Sequence, residues 1–119
     1  MSHEYQIIDD STALVTAGRE LSGGKSTIIN ELRNLCRRLS EEGKNRIILD
    51  FSRVKLCPSM VFGNIIVLNK RLKEKDGGVT IAAPSSHTAK AARITGLTKG
   101  ISIFDSVEEA IKAIKKTGG

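Results

Sequence analysis

Few residues in this chain have types and spacing that could do chemistry. Gly23-Gly24-Lys25-Ser26-Thr27 has the ending of a phosphate-binding P-loop. Such a loop is a nest of backbone amides closing on phosphates, and it needs a further glycine five places before the Gly-Lys pair. Arg19 stands there and Gly18 is one residue out of register, so the stretch reads as a flexible loop and helix start. Ser59 lies in Cys57-Pro58-Ser59-Met60-Val61, without the Gly-x-Ser-x-Gly elbow that strains and exposes a hydrolase nucleophile. The histidines, His3 and His87, and the cysteines, Cys36 and Cys57, are too few and too scattered for a metal site. His3 is expected in a mobile terminus, and His87 on the surface at the start of a helix. Neither cysteine belongs to a CxxC pair, and both read as small buried hydrophobes in a reducing compartment. No carboxylate pair is spaced for acid–base work. The sequence carries no sign of an enzyme and calls for no cofactor or metal.

Ser59 stands out by position. Ile47-Ile48-Leu49 is a short β-branched apolar run, the pattern of a strand buried on both faces. After Pro58-Ser59, the residues Val61, Ile65, Leu68 and Leu72 recur at three- and four-residue spacing, with Phe62 and Ile66 broadening the stripe. That is an amphipathic helix of about four turns entered from a core strand. The carboxyl end of a strand meeting the amino end of a helix is where an α/β domain exposes functional side chains.

The remaining elements follow from periodicity and turn chemistry. Residues Tyr5 to Ile8 and Thr12 to Ala17 read as strands joined by the turn-forming Asp9-Asp10-Ser11. Leu21 to Gly24 is expected to be a loop. A helix with Ile28/Ile29, Leu32, Leu35/Cys36 and Leu39 on one face follows it, closed by Gly43. The central helix stops at Asp76-Gly77-Gly78, and Val79 to Ala83 is another strand. Pro84-Ser85-Ser86 opens a helix whose buried face is expected to be Ala89, Ala92 and Ile94. Ile101 and Ile103 suggest a short last strand. Ser106-x-x-Glu109 is a capping box for a final helix burying Val107, Ala110, Ile111 and Ile114. The tail from Lys116 is expected to fray.

A chain of 119 residues, 39% hydrophobic and 27% charged, fits one globular domain. The apolar runs are too short for a membrane span, and no basic-then-apolar leader is present, so a cytoplasmic location is expected. The net charge of +6 is spread over every expected helix with acidic residues interleaved. With only Tyr5, Phe51, Phe62 and Phe104 as aromatics, there is no stacking platform, and no nucleic-acid partner is expected.

The whole pattern resembles the STAS domain family, the sulfate-transporter and anti-sigma-factor-antagonist domains, from about Tyr5 to Ile114. Ile48-Leu49-Asp50-Phe51-Ser52-x-Val54 leading into the central helix carries the resemblance. So do Asn69-Lys70-Arg71-Leu72-Lys73-Glu74-Lys75, Thr95-Gly96-Leu97 and Ile103-Phe104-Asp105-Ser106-Val107-Glu108-Glu109-Ala110. The resemblance implies an α/β fold: a single STAS-like domain over 1–119, core about 5–114, with short flexible termini. A mixed four- to five-stranded sheet is packed with about four helices, without intrinsic catalysis. In the anti-sigma-antagonist branch it further implies a phosphorylation switch. An anti-sigma kinase binds the unphosphorylated domain and phosphorylates an Asp-Ser-Ser/Thr-Gly motif at the start of the central helix. Ser59 matches the acceptor, while Pro58 replaces the acid, Met60 the second hydroxyl residue and Val61 the glycine; Gly63 still matches a small position. The expected phosphoacceptor is Ser59. The expected contact residues are Cys57, Pro58, Ser59, Met60, Val61, Phe62 and Gly63, and the expected partner is an anti-sigma factor or serine-kinase-like protein. Two readings stay open beside it: Ser59 as a plain helix cap, and the chain as an unphosphorylated accessory subunit of a stress-signalling or transport assembly.

Overall fold

The computed structural model describes residues 2–117. At its centre lies β3, Arg46–Asp50, in which Ile47, Ile48 and Leu49 are 0%, 0% and 1% exposed. Successive strand side chains point to opposite faces, so three buried residues in a row demand cover on both sides of the sheet. Four helices supply it. α1 (Ser26–Glu41), α2 (Ser59–Lys73) and α3 (Ser86–Ile94) pack over the face carrying Ile47 and Leu49. α4 (Val107–Thr117) covers Ile48 through Ala110, with Val107, Ile111 and Ile114 alongside.

The sheet has five strands in the order β1-β2-β3-β4-β5, with β1 Glu4–Asp9, β2 Thr12–Thr16, β4 Gly78–Ala82 and β5 Ser102–Phe104. β1 and β2 form an antiparallel hairpin and the other pairs are parallel, so the sheet is mixed. The hairpin turns where Ser11 N–H donates to Asp9 Oδ1 at 3.0 Å. That bond, first among several, holds the Asp9 carboxyl below its ordinary range.

Helix ends follow the sequence closely. α1 closes with Gly43 in the left-handed region (φ 91°), Gly43 N–H donating to Ser40 O and Lys44 N–H to Leu39 O. α2 closes the same way, but there Asp76 takes the left-handed conformation (φ 62°). The glycine after it, Gly77, is needed for a different reason: a Cβ there would collide with the Asn45 carbonyl. At the start of α4, Ser106 Oγ accepts from Glu109 N–H at 3.1 Å, the serine half of the expected capping box.

Several expectations are corrected. Leu21 is not in an irregular loop; it sits in a 3-10 turn, Arg19–Gly23, and is fully buried. His3 is anchored rather than mobile. Its Nδ1 accepts from Gly18 N–H at 3.0 Å, which leaves Nε2 to donate to Ile28 O at 2.9 Å. Ile94 is 78% exposed rather than buried, because α3 ends there and Leu97 in the following turn takes the core position. Ile66 likewise faces outward. α4 continues through Thr117 without fraying at Lys116; Met1, Gly118 and Gly119, to which the expectation of flexible termini also applied, lie outside the described residues.

Leu49→Ala is expected to cost about 2–5 kcal/mol in urea denaturation, as a cavity-forming change in the packed core. Ile94→Ala should stay within about 0.5 kcal/mol of wild type. The reverse ranking would contradict the placement of both residues.

Candidate functional site: the amino end of the central helix

Parallel pairing puts the carboxyl ends of β2, β3 and β4 side by side, and the segments after them start α1, α2 and α3. The connection from β3 to α2 is tied from several directions. Asp50 Oδ1 accepts from Ser52 N–H at 2.9 Å, turning the chain as it leaves the strand. Ser22 Oγ accepts from Lys55 N–H at 3.1 Å and from Leu56 N–H at 3.3 Å. From the other side, Ser85 Oγ donates to Lys55 O at 2.8 Å and accepts from Thr88 N–H at 3.1 Å, capping α3. Phe51 and Val54 anchor the connection in the core.

This fixes where Ser59 is presented. Pro58 is the N-cap residue in an extended conformation (φ −60°, ψ 144°), with no side-chain cap bond, and Ser59 is the first helical residue. Ser59 is exposed, and its hydroxyl has no hydrogen-bond partner among the described residues. The reading of Ser59 as the cap is therefore corrected; proline has no capping side chain, Val61 N–H donates to the Pro58 carbonyl at 2.9 Å, and the Ser59 and Met60 amides have no partner among the described residues. No acidic residue lies in the first turn to offset the positive end of the helix dipole.

The structure divides the seven expected contact residues. Ser59, Met60 and Gly63 are exposed, Met60 at 62%. Cys57 and Pro58 are half-buried. Val61 and Phe62, at 1% and 3%, turn into the core and offer no surface. Burial pushes the Cys57 thiol up to about 12, and it donates weakly to Pro58 O at 3.8 Å, so it is no nucleophile at neutral pH. Gly23 and Gly24 end the 3-10 turn, with Gly24 beside the Pro58 ring. His87 lies exposed in the first turn of α3, as expected. Among the described residues, no group of three or more His, Cys, Asp or Glu could hold a metal ion. Among them, too, no helix is long and apolar enough to cross a membrane.

Three residues missed on sequence join this surface. Leu56, Ile66 and Val67 are exposed at 52%, 37% and 52%. Ile66 and Val67 lie on α2, and Leu56 on its approach. A signal for them was present. α2 contains Met60, Val61, Phe62, Ile65, Ile66, Val67, Leu68 and Leu72, more apolar residues than one buried stripe holds, so some must face outward.

The mixed sheet thus uses its central buried strand to deliver a serine to the start of a helix, amid exposed apolar side chains. The STAS domain model matches residues 12–110, and the chain belongs to the STAS domain family. The chain is similar to the TM1081 homolog of Thermotoga neapolitana, 26% identical over 74 residues that make up 62% of this chain and 66% of that relative. It thus spans just under two thirds of that relative's length. Among solved structures, it is similar to the anti-sigma factor antagonist SpoIIAA in its unphosphorylated form, with TM-score 0.79 and 18% identity, covering 96% of each chain. The phosphorylated form of the Bacillus SpoIIAA is also similar, with TM-score 0.74 and 18% identity over 94% of this chain and 98% of that one. These likenesses establish the STAS fold, in the form also taken by solved anti-sigma factor antagonists.

Two measurements check this geometry. Ser59→Ala should leave urea stability within about 0.5 kcal/mol of wild type, since no cap is lost. Ser85→Ala should cost about 1 kcal/mol or more, because it removes the α3 cap and the tether to Lys55. Cys57 should resist iodoacetamide at pH 8 in the native protein and react once urea unfolds it; rapid native labelling would contradict its burial.

Proposed function

We propose that this chain is a non-enzymatic regulatory module that docks on an anti-sigma or kinase-type protein through the start of α2, with Ser59 as a phosphoacceptor that switches the contact. The observation that carries the reading is the state of Ser59: exposed, first in the helix, and with its hydroxyl free of any hydrogen bond. A kinase needs a hydroxyl it can reach, and a capping serine would have to break its own bond first.

The consequences of phosphorylation follow from charge. A phosphate on Ser59 carries close to two negative charges and would meet the open Ser59 and Met60 amides and the unopposed dipole of α2, which favour an anion. The same charge would stand beside Met60 and Leu56, so an apolar partner surface packed there in the unmodified state would have to desolvate it. The modification would therefore be tolerated by the fold and would oppose the complex. The resemblance to an antagonist solved in both unphosphorylated and phosphorylated forms supports this reading.

The test is partner capture from the native lysate with wild type, Ser59→Ala and Ser59→Asp as baits, joined to peptide mapping of the protein from its own cells. Ser59→Ala should capture the same regulatory partner as wild type, Ser59→Asp at least about tenfold less, and a phosphoryl group should map to Ser59. Equal capture by all three baits, with Ser59 unmodified across growth and stress conditions, would favour the unswitched accessory subunit instead.

A further inference from the structure

β1 is an edge strand of the sheet. Arg46 N–H donates to Ser11 O and Ala17 N–H donates to Asp50 O, so at both ends of β2 the odd-numbered residues turn their main-chain polar groups toward β3. By the two-residue period, Ala13 and Val15 do the same, and Thr12, Leu14 and Thr16 face β1. Their partners there include Glu4, opposite Thr16, and Gln6, opposite Leu14. The amides and carbonyls of Tyr5 and Ile7 therefore point out of the sheet, where no described residue takes them.

Side chains repeat the pattern. Tyr5 stands opposite Val15 and Ile7 opposite Ala13, which puts both on the α1 face of the sheet. They end two apolar rows that cross the molecule: Tyr5–Val15–Leu49–Ile81–Ile103 and Ile7–Ala13–Ile47–Val79. At the edge they are left 47% and 45% exposed. Edge strands are ordinarily blunted by lysine, proline, shortness or a bulge. β1 has six residues, no lysine and no proline, and its one bulge falls beyond Ile7, leaving 4–7 regular. The opposite edge, β5, has three residues and is protected by its length.

We propose that β1 is a homodimerisation edge, pairing antiparallel with β1 of a second copy about a two-fold axis through Gln6. The choice of a second copy rests on register. In this pairing Tyr5 faces Ile7 of the second copy and Ile7 faces its Tyr5. These are the residues whose amides and carbonyls point outward, so each pair exchanges two hydrogen bonds. The same pairs place aromatic against β-branched side chains and join the apolar rows of both copies. Gln6 meets Gln6, and Glu4 meets Ile8, so no like charges face each other. The α1 flank over this edge carries both signs: Arg38 lies 5.8 Å over the Tyr5 ring and shares a shallow concavity with Arg37, Glu31 and Glu41. The assembly is a continuous ten-stranded sheet, and Glu4 at the edge also pairs with Arg53 of the β3–α2 connection at 3.6 Å.

Sedimentation velocity across a concentration series tests the edge. Wild type should pass from one to two protomer masses as concentration rises. Ile7→Lys, which sets a charge on the exposed row, should raise the dissociation constant at least about tenfold. Ile7→Pro removes only an outward-pointing N–H and should do the same while circular dichroism stays native. Mild oxidation of Gln6→Cys should give a disulfide-linked dimer, because a non-hydrogen-bonded antiparallel pair holds its Cα atoms about 4.5 Å apart. Glu4→Cys should not cross-link, as the two copies of residue 4 lie about 14 Å apart. Cys36 and Cys57 are held as thiols by burial and stay silent in this assay. A wild type that remains monomeric throughout overturns the proposal. So does a dimer indifferent to both Ile7 changes and uncross-linked at residue 6, and so does assembly only with a different protein.

Discussion

Burial of β3 on both faces is the constraint from which the rest of the fold follows. With Ile47, Ile48 and Leu49 all inside, no single layer of helices suffices. The chain sends α1, α2 and α3 to one face and α4 to the other. Parallel pairing of β2, β3, β4 and β5 then puts every connection after β2, β3 and β4 at one end of the sheet. The start of α2 lies in the middle of that end. Its neighbours hold it through side chains far away in sequence, Ser22 and Ser85, both bonding to Lys55. The exposed serine is therefore mounted on a braced connection rather than on a free loop.

Elements set by local periodicity and turn chemistry are legible in the sequence. The order of strands and helices, the Gly43 cap, the Ser106 cap and the buried strand all depend on residues within a few positions of one another. What was not legible depends on distant pairing. His3 looked like part of a loose terminus because nothing near it in sequence binds it; its partners are Gly18 and Ile28, 15 and 25 residues away. Leu21 stands between Glu20 and Ser22-Gly23-Gly24, and only the packing of its 3-10 turn against the core shows why it is leucine. The edge residues Tyr5 and Ile7 read as half of an ordinary alternating strand. Which of their polar groups look outward is set by how β2 bonds to β3, two strands away.

The candidate site was legible in position and misread in detail. The junction of strand and helix named Ser59, but a serine after a proline at a helix entrance suits either cap or first-turn residue by sequence alone. The backbone decides, because Pro58 takes the extended cap conformation and Ser59 is already helical. Val61 and Phe62 were grouped with the surface by adjacency. On a helix each residue turns by 100°, so neighbours of an exposed Ser59 and Met60 are the ones that must reach the core.

The departures from the family's motif therefore differ in physical weight. Val61 stands where the resemblance implies glycine, yet its side chain is inside the core, so that change fills volume without altering the surface proposed for docking. Pro58 stands where the resemblance implies an acid. An aspartate at that cap would accept bonds from the first-turn amides and add negative charge beside any phosphate on the next residue. Proline does neither, so a phosphate on Ser59 would find the Ser59 and Met60 amides unoccupied, only Val61 N–H being taken by the Pro58 carbonyl, and no carboxylate opposing it. The substitution removes an acidic group beside the acceptor, a loss felt by an enzyme that reads the site, but it leaves the helix better able to hold the modified serine. The two effects fall on different partners: recognition is settled on the enzyme's surface, and accommodation on this one. On this surface, loss of the acid is no argument against the switch.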